Sequence, residues 1–388
     1  MEGFMIYIFW LSIVALLYTY FGYYIFLKFL SFFYNVTIDK NENLQPMVSI
    51  IIAAFDEEKV IKRRLENILS VDYPKDRLEV IVGSDGSKDK TVETARHFEK
   101  EGVVVIEFKK NRGNTLTHND CAARAKGEIL IFTDAESIFD TDFVKKIVRN
   151  FYDEKVGGVT GNLSYITEIG EYAREEGLYF RFEIAIKKLE SRLGILASGS
   201  GSCFAMRKEL YRKLKAFEAV DHTLPLDIIK KGFLVVFDSD ARAYDFPTAV
   251  SVRGVIKART RMASRACASI YRRLNLSFIK TNLATCWAIL SRRFMRYFTT
   301  MFMVTCLVSN IYLFGKGTAY MIIMVFQCIF YLLAMLGLIG YFTKAFKYRM
   351  TDMAFIFVVA QIGIYNGLIK ALFGRIPFSY KRVRLTNL

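Results

Sequence analysis

After Asp245 the chain is almost without acid. Asp352 is the only Asp or Glu from there to the C-terminus, while Arg253, Lys257, Arg259, Arg261, Arg265, Arg272, Arg273, Lys280, Arg292, Arg293 and Arg296 crowd the same interval. The net charge of +16 is therefore local in origin. A basic stretch beside hydrophobic runs points to anionic lipid headgroups on a cytoplasmic face, so membrane lipids are the expected partner and nucleic acid is not. A polyanionic small substrate would answer the same field. Charge is scarce at the N-terminus too: between Met5 and Leu30 the only charged side chain is Lys28, a run long enough to cross a bilayer. It is too long for a signal-peptide core, has no basic flank ahead of it and no small-residue cleavage site after it, so a retained anchor is expected. The six cysteines form no CxxC or paired spacing, which argues against a zinc site or a disulfide framework and for reduced thiols.

Three further apolar runs cover residues 297–314, 319–342 and 353–373. Lys28 and Lys40 follow the first run and only Glu2 precedes it, which by the positive-inside rule puts the middle of the chain in the cytoplasm. Lys344, Lys347 and Arg349 agree. Four complete spans would leave Lys370, Arg375, Lys381, Arg382 and Arg384 outside, against the same rule. The last run, weakened by Gln361, Gly363, Asn366 and Gly367, is therefore expected to be re-entrant or buried against its neighbours.

The middle of the chain lacks a GxGxxG after its first strand and lacks a Walker A sequence, which disfavours dinucleotide and P-loop chemistry. What it has is alternation. VSIIIAA (48–54), LEVIVG (78–83), VVVIEF (103–108) and EILIF (128–132) read as strands buried on both faces, separated by helices such as the one carrying Val60, Ile61, Leu65, Ile68 and Leu69. That is the pattern of a parallel βαβ sheet, whose ligands bind at the carboxyl ends of the strands. Asp56, Glu57, Asp85, Asp134 and Glu136 stand there. Asp56, Glu57 and Asp89 read as well as helix caps or solvated first turns. For Asp85, Asp134 and Glu136 three separate loops would each need a cap at the ligand-binding edge, so a ligand is the better account. In GEILIFTDAES (127–137) two carboxylates follow a buried strand closely, an expensive arrangement unless a cation meets them. The expected cation is Mg²⁺ or Mn²⁺, held by a couple of carboxylates and the phosphates of a substrate.

Five segments in order resemble the family 2 glycosyltransferases: VSIIIAAFDEE, EVIVGSDGSKDKT, NRGNTLTHNDCAARAKGEILIFTDAES, SRLGILASGSGSCFAMRKELY and DHTLPLDIIKKGFLVVFDSDARAY. The resemblance implies an α/β GT-A domain with a Rossmann-like, mainly parallel sheet. It would carry one N-terminal transmembrane helix, interfacial amphipathic helices and about three C-terminal membrane segments. The implied divisions are an anchor over 1–34, the GT-A domain over 45–250, interfacial helices over 251–296, membrane segments over 297–373 and a basic tail over 374–388. It further implies Asp221 as catalytic base and Asp134 with Glu136 at the metal. Ala54, Asp56, Asp85, Arg112, Asn119, Asp134, Arg259 and Arg261 would lie at the nucleotide sugar, and Gly199, Ser200, Gly201 and His222 at the acceptor. His118 receives no chemistry. Departures from the family pattern are Ser84-Asp85 for two aspartates, Glu136 for the second metal Asp, Asn114 where Lys is common, and Val220 before the base. The Gln-x-x-Arg-Trp segment of processive members is reduced to Arg259 and Arg261.

The implied activity is inverting transfer of a sugar from a nucleotide-diphosphate donor, with UDP expected, to a membrane-associated glycan of a surface polysaccharide, with export subunits among the partners. Single transfer to a polyprenyl phosphate or glycolipid stays open, as does, from another class, an inactive membrane scaffold on the same fold. A channel is poorly supported by Asp352 alone. The arginines have a second reading. Arg253, Lys257, Arg261 and Arg265 recur every fourth residue opposite Val255, Ile256, Ala263, Ala266 and Ile270, as in an amphipathic helix with its cations toward headgroups. Arg261 is read both ways, and Arg265, Arg272 and Arg273 as interfacial.

Overall fold

The computed structural model describes residues 1–165, 172–246, 251–343 and 348–376. Lys344, Lys347, Lys381, Arg382 and Arg384, with most of the basic tail, lie outside the described residues.

Eight strands form one sheet: β1 (Val48–Ala54), β2 (Leu78–Asp85), β3 (Val103–Phe108), β4 (Ile129–Asp134), β5 (Ile138–Phe139), β6 (Val156–Tyr165), β7 (Phe204–Arg207) and β8 (Leu234–Asp245). Their order is β3-β2-β1-β4-β7-β6-β8-β5. The first four are mutually parallel, as the alternating pattern predicts. β7 then runs antiparallel to both β4 and β6, while β6 and β8 pair in parallel. The chain leaves β1 for β2 on one side, and β4 returns on the other, so a crevice opens at the carboxyl ends of β1 and β4. The register sets Asp134 beside Ala53, and Ala54 beside Ser84.

Within β1, Ile50 and Ile52 face one core cluster and Ile51 the other, all fully buried. The first cluster takes Ile61, Leu65 and Ile68 of α2 (Ile61–Leu69); α1 is the N-terminal helix Glu2–Leu30. The helices that follow are α3 (Thr91–Arg96), α4 (Asn114–Arg124), α5 (Phe143–Val148), α6 (Tyr172–Arg192) and α7 (Val220–Lys230). The second cluster takes Cys121 and Ala122 of α4 and Leu224 and Ile228 of α7. Each leucine or isoleucine among them contributes about 2 kcal/mol on leaving water.

Beyond the sheet come α8 (Val252–Arg273), α9 (Leu276–Thr281), α10 (Leu283–Ile289), α11 (Thr299–Leu313), α12 (Thr318–Thr343) and α13 (Arg349–Leu372). By length and composition α1, α12 and α13 can cross a membrane. The 15 residues of α11 extend only about 22 Å, short of a hydrocarbon core of about 30 Å. The second core cluster continues into this region, because Ile270, Phe278 and Ile289 belong to it. Helices expected to lie on headgroups are therefore partly the outer wall of the α/β domain's own core.

The last apolar helix is buried against a neighbour, and that neighbour is α8. A Cβ at Gly363 would come 2.8 Å from Arg259 Cβ and 3.0 Å from the Ile256 carbonyl. At Gly367 it would come 2.7 Å from both Ala263 Cβ and the Thr260 carbonyl. Thr260 Oγ1 donates to the Gly363 carbonyl at 3.0 Å. Four-residue spacing of glycines lets two helix backbones approach this closely. Two of the residues that weaken the run as a free span, Gly363 and Gly367, are the ones that dock it on α8.

Candidate active site at the carboxyl edge of the sheet

Asp134 ends β4 and Asp245 ends β8. Between them stands Ser202, whose Oγ lies 3.0 Å from Asp134 Oδ2 and 2.9 Å from Asp245 Oδ2. A hydroxyl has one proton, so it donates to one of these carboxylates at a time. Ser137 Oγ donates to the other oxygen of Asp245.

The protein supplies its own cation here. Arg64 on α2 is 1% exposed; its Nη2 donates to Thr133 Oγ1 at 2.7 Å, its Nη1 to Asn67 Oδ1 at 2.8 Å, and its guanidinium lies 3.9 Å over the centre of the Phe139 ring. Burial pulls this group down to about 9, while Asp245 and Asp134 pull it back up. It is still a cation at neutral pH. The cost of carboxylates beside a buried strand, which the sequence assigns to a metal alone, is thus met in part by a resident guanidinium.

Among the described residues no group of three or more His, Cys, Asp or Glu is placed to hold a metal ion. Asp134 and the buried Glu136 are hard oxygen donors of the type that Mg²⁺ and Mn²⁺ take when substrate phosphates complete the shell. The donor set therefore fits a divalent ion brought in with a diphosphate.

Asp85, 1% exposed, accepts from the Arg112 N–H at 2.9 Å through Oδ1 and from the Gly113 N–H at 2.7 Å through Oδ2. Gly113 has φ 92°, a conformation that favours glycine. Arg112 reaches Asp120 Oδ2 at 2.9 Å and lies 4.0 Å over the Phe108 ring. Asp85 thus shapes the loop between β3 and α4, keeping lone pairs to spare. Ala54 is buried beside it at the end of β1. Asp56 adopts φ 53°, uncommon outside glycine, and its Oδ1 accepts the Lys88 N–H at 2.8 Å. It stitches the β1 loop to the β2 loop and caps no helix. Asp89 does support a helix start, accepting the Thr91 N–H at 3.0 Å. Asn119 is turned inward: Nδ2 donates to the Leu214 carbonyl, while Oδ1 accepts from the Leu214 N–H and the Tyr211 hydroxyl. It ties α4 to the 211–214 segment, leaving the donor site to its neighbours.

Asp221 lies in the first turn of α7. Gly199 N–H donates to the Asp221 carbonyl at 2.8 Å, and a Cβ on Gly201 would sit 4.0 Å from Asp221 Cγ. At Gly199 a Cβ would meet Phe204 at 2.6 Å. Residues 199–202 are therefore a loop pressed onto Asp221 rather than a linker. Ser200 N–H donates to Thr160 Oγ1 at 3.0 Å, and Lys187 Nζ to Ser200 Oγ at 2.9 Å. His222 Nε2 is 3.5 Å from Asp221 Oδ2.

The arginines divide differently from the sequence expectation. Arg265 is 9% exposed, and its Nη2 donates to Thr115 Oγ1 and to the Glu218 carbonyl, both at 2.7 Å. Arg273 pairs with Asp227 at 2.7 Å and Glu218 at 2.9 Å, and Arg272 lies 4.5 Å over the Phe217 ring. Carbonyls and carboxylates of the α/β domain hold Arg265 and Arg273, which overturns their assignment to headgroups, whereas Arg272 stays exposed beside its ring. Arg261, one turn before Arg265, helps burial push that guanidinium down to about 10. Arg259 lies two residues from Arg261, about 200° around the helix, with its Cβ against Gly363. The helix thus sends the two proposed diphosphate clamps in different directions.

Sequence reasoning passed over Arg64, Lys187, Ser202, Asp245 and Arg265 as site residues. Asp245 had a usable signal, an acidic residue at a strand's carboxyl end like Asp134. Arg64 had none, since it sits on a helix face with ordinary spacing.

Burial holds His118 and His222 down at about 4, against 6.5 in an unfolded chain. Between those values the unfolded state binds more protons, so stability falls as pH drops from about 6.5 toward 4, by about 3 kcal/mol per histidine at the lower end. The thermal midpoint is expected to fall from pH 7 to pH 5, and to fall less in His118→Phe. A decline with the same slope in wild type and variant would refute this assignment.

Residues 49–215 match the model of glycosyl transferase family 2. The chain carries a domain of that family, on a GT-A fold with an N-terminal apolar helix and three apolar helices at its other end. It is 27% identical over 250 residues to the probable glycosyltransferase YdaM of Bacillus subtilis (strain 168), covering 59% of this chain and 57% of that protein. It is 29% identical over 130 residues to the poly-beta-1,6-N-acetyl-D-glucosamine synthase of Staphylococcus aureus (strain COL), covering 33% and 30% respectively. The matched region thus spans little more than half of the first relative and under a third of the second. Among solved structures, the mannosyltransferase PcManGT from Pyrobaculum calidifontis, in complex with GDP-Man and Mn²⁺, superposes with a TM-score of 0.70 at 18% identity, covering 96% of this chain and 99% of that one. At that identity the likeness is one of fold.

Proposed function

We propose that this chain is an inverting glycosyltransferase that moves a sugar from a nucleotide-diphosphate donor to a hydroxyl of a membrane-associated glycan. One observation carries the reading: a four-residue loop joins the two halves of the required chemistry. Its Gly201 abuts Asp221 and its Ser202 contacts Asp134. The residue read as base for the acceptor and the carboxylate read for the leaving diphosphate thus meet adjacent residues of one short segment.

Direct displacement needs one base and no covalent intermediate, unlike the two-carboxylate scheme of glycoside hydrolases. Asp221 takes the acceptor proton as the hydroxyl attacks. Asp85, with the backbone of Arg112 and Gly113, orients the nucleoside. Asp134 and Glu136 would hold Mg²⁺ or Mn²⁺, which when bound offsets the charge appearing on the departing diphosphate. Arg261 is the arginine left to meet that diphosphate, by a charge-assisted fork. The Gly199–Gly201 backbone and His222 border the acceptor. α1, α12 and α13 would make the protein multi-pass in the cell membrane, with the catalytic domain cytoplasmic. Export subunits form no part of this proposal. Single transfer to a polyprenyl phosphate or glycolipid is the second reading, favoured by the missing Gln-x-x-Arg-Trp segment.

The test is nucleoside diphosphate release by the full chain in nanodiscs, with a membrane extract as acceptor, either metal, and a panel of UDP- and GDP-sugars. Donor-selective, metal-dependent release supports the transferase, and product size then separates polymer from single transfer. No release from any donor would favour the scaffold instead.

A further inference from the structure

One buried histidine is used by nothing described so far. His118 on α4 is 8% exposed, and neither ring nitrogen has a hydrogen-bond partner among the described residues. Buried side-chain polar atoms are usually satisfied, and two unmet nitrogens on one ring is the costly form of the exception. The ring stands edge-on to Phe132 of β4, with centroids 5.3 Å apart. Side chains two apart on a strand share a face, so Phe132 and Asp134 lie on the same side, about 7 Å apart along the strand. The His118 ring is therefore placed just behind the carboxylate assigned to the metal and diphosphate.

Its other flank leads to the base. Thr115, one turn earlier on α4, accepts from Arg265, and the same guanidinium nitrogen holds the Glu218 carbonyl ahead of α7. Asp134 and Asp221 both act on the imidazole electrostatically, and Arg265 acts in the opposite sense. An imidazole within electrostatic reach of both the carboxylate read for the leaving diphosphate and the residue read as base is placed to meet the transferred sugar. In an inverting displacement the sugar ring must sit between those two.

We propose that His118 is the floor of the transferred-sugar subsite and hydrogen-bonds hydroxyls of that sugar. A neutral imidazole offers one N–H donor and one lone-pair acceptor, which matches neighbouring sugar hydroxyls that each donate and accept. Its contact is with the sugar and not with the nucleotide, so His118 is a specificity-determining residue. The inference rests on the transferase reading above.

The test uses the full chain in nanodiscs and two variants. His118→Phe keeps the ring and its stack on Phe132 but removes both nitrogens, and His118→Asn keeps a donor and an acceptor. The preferred donor of the panel is compared with its C4 epimer for kcat/KM, and with the sugar-free nucleoside diphosphate for calorimetric affinity. For His118→Phe, kcat/KM with the preferred donor is expected to fall at least about tenfold, and the preference over the epimer to shrink by a similar factor, since a site built to bond a hydroxyl discriminates through it. Affinity for the sugar-free nucleoside diphosphate is expected to stay within about twofold, and His118→Asn to recover part of the loss. An active wild type matched by an equally active and selective His118→Phe overturns the role of His118 and leaves the transferase standing. Parallel loss of nucleoside diphosphate affinity makes the residue structural and likewise overturns it. A wild type that neither binds nor turns over any donor overturns both.

Discussion

Asp221→Asn is expected to lower kcat for nucleoside diphosphate release by about three orders of magnitude, the span general-base catalysis supplies. The substitution keeps the side chain's shape. The contact of residue 221 to Gly199 is made by its backbone carbonyl and survives. Its side chain approaches His222 Nε2 at 3.5 Å, a weak contact, so little stability is at stake. The donor KM and the thermal midpoint should therefore stay near wild type while turnover collapses. Retention of more than a tenth of the wild-type rate would remove Asp221 from the reaction and with it the direction of attack.

Arg64→Met is expected to act on the fold rather than on the rate alone. The methionine fills much of the volume, but Asp134 and Asp245 lose their buried counter-charge, and Thr133 and Asn67 lose a donor. Removing one partner of a buried charged set costs about 3–5 kcal/mol. Arg64→Lys should recover little, because a point charge cannot reach Thr133 and Asn67 together while stacking on Phe139. Adding Asp245→Asn to Arg64→Met removes one stranded charge and should restore part of the midpoint, a coupling expected of residues in one network. Thermal unfolding of the full chain in detergent reads all three variants. A midpoint for Arg64→Met within a degree or so of wild type would show the carboxylates need no such partner.

Several features are legible in the sequence itself. β1 falls on the run VSIIIAA residue for residue, as a strand buried on both faces should. β3 falls on VVVIEF just as closely, but it is the sheet's edge and leaves Val104 and Glu107 exposed, against the expectation of burial on both faces. Asp85 and Asp134 stand out in the sequence because a carboxylate ending such a strand has few bland explanations, and the sheet sets both at its carboxyl edge. β7 is not legible in that way. Its four residues are too few to show a period, and its antiparallel pairing depends on partners far along the chain. Arg265 was misread for a related reason. Four-residue spacing says that cations share a helix face, and cannot say whether that face meets lipid or the carbonyls of Phe217 and Glu218. Asn119 shows the same gap from the other side, since a motif position names a residue without saying which way its amide turns.

The glycine seam between α8 and α13 has a mechanical consequence. One flank of α8 is zipped to α13 at Gly363 and Gly367, and Arg265 and Arg273 on the same helix grip the catalytic domain at Thr115, Glu218 and Asp227. A helix clamped from both sides is a strut, not a tether. With α13 in a bilayer, the mouth of the site would ride at a set depth and tilt. The acceptor would then have to be brought to that depth by its own anchor or by sliding, because no swing of the domain is left to fetch it.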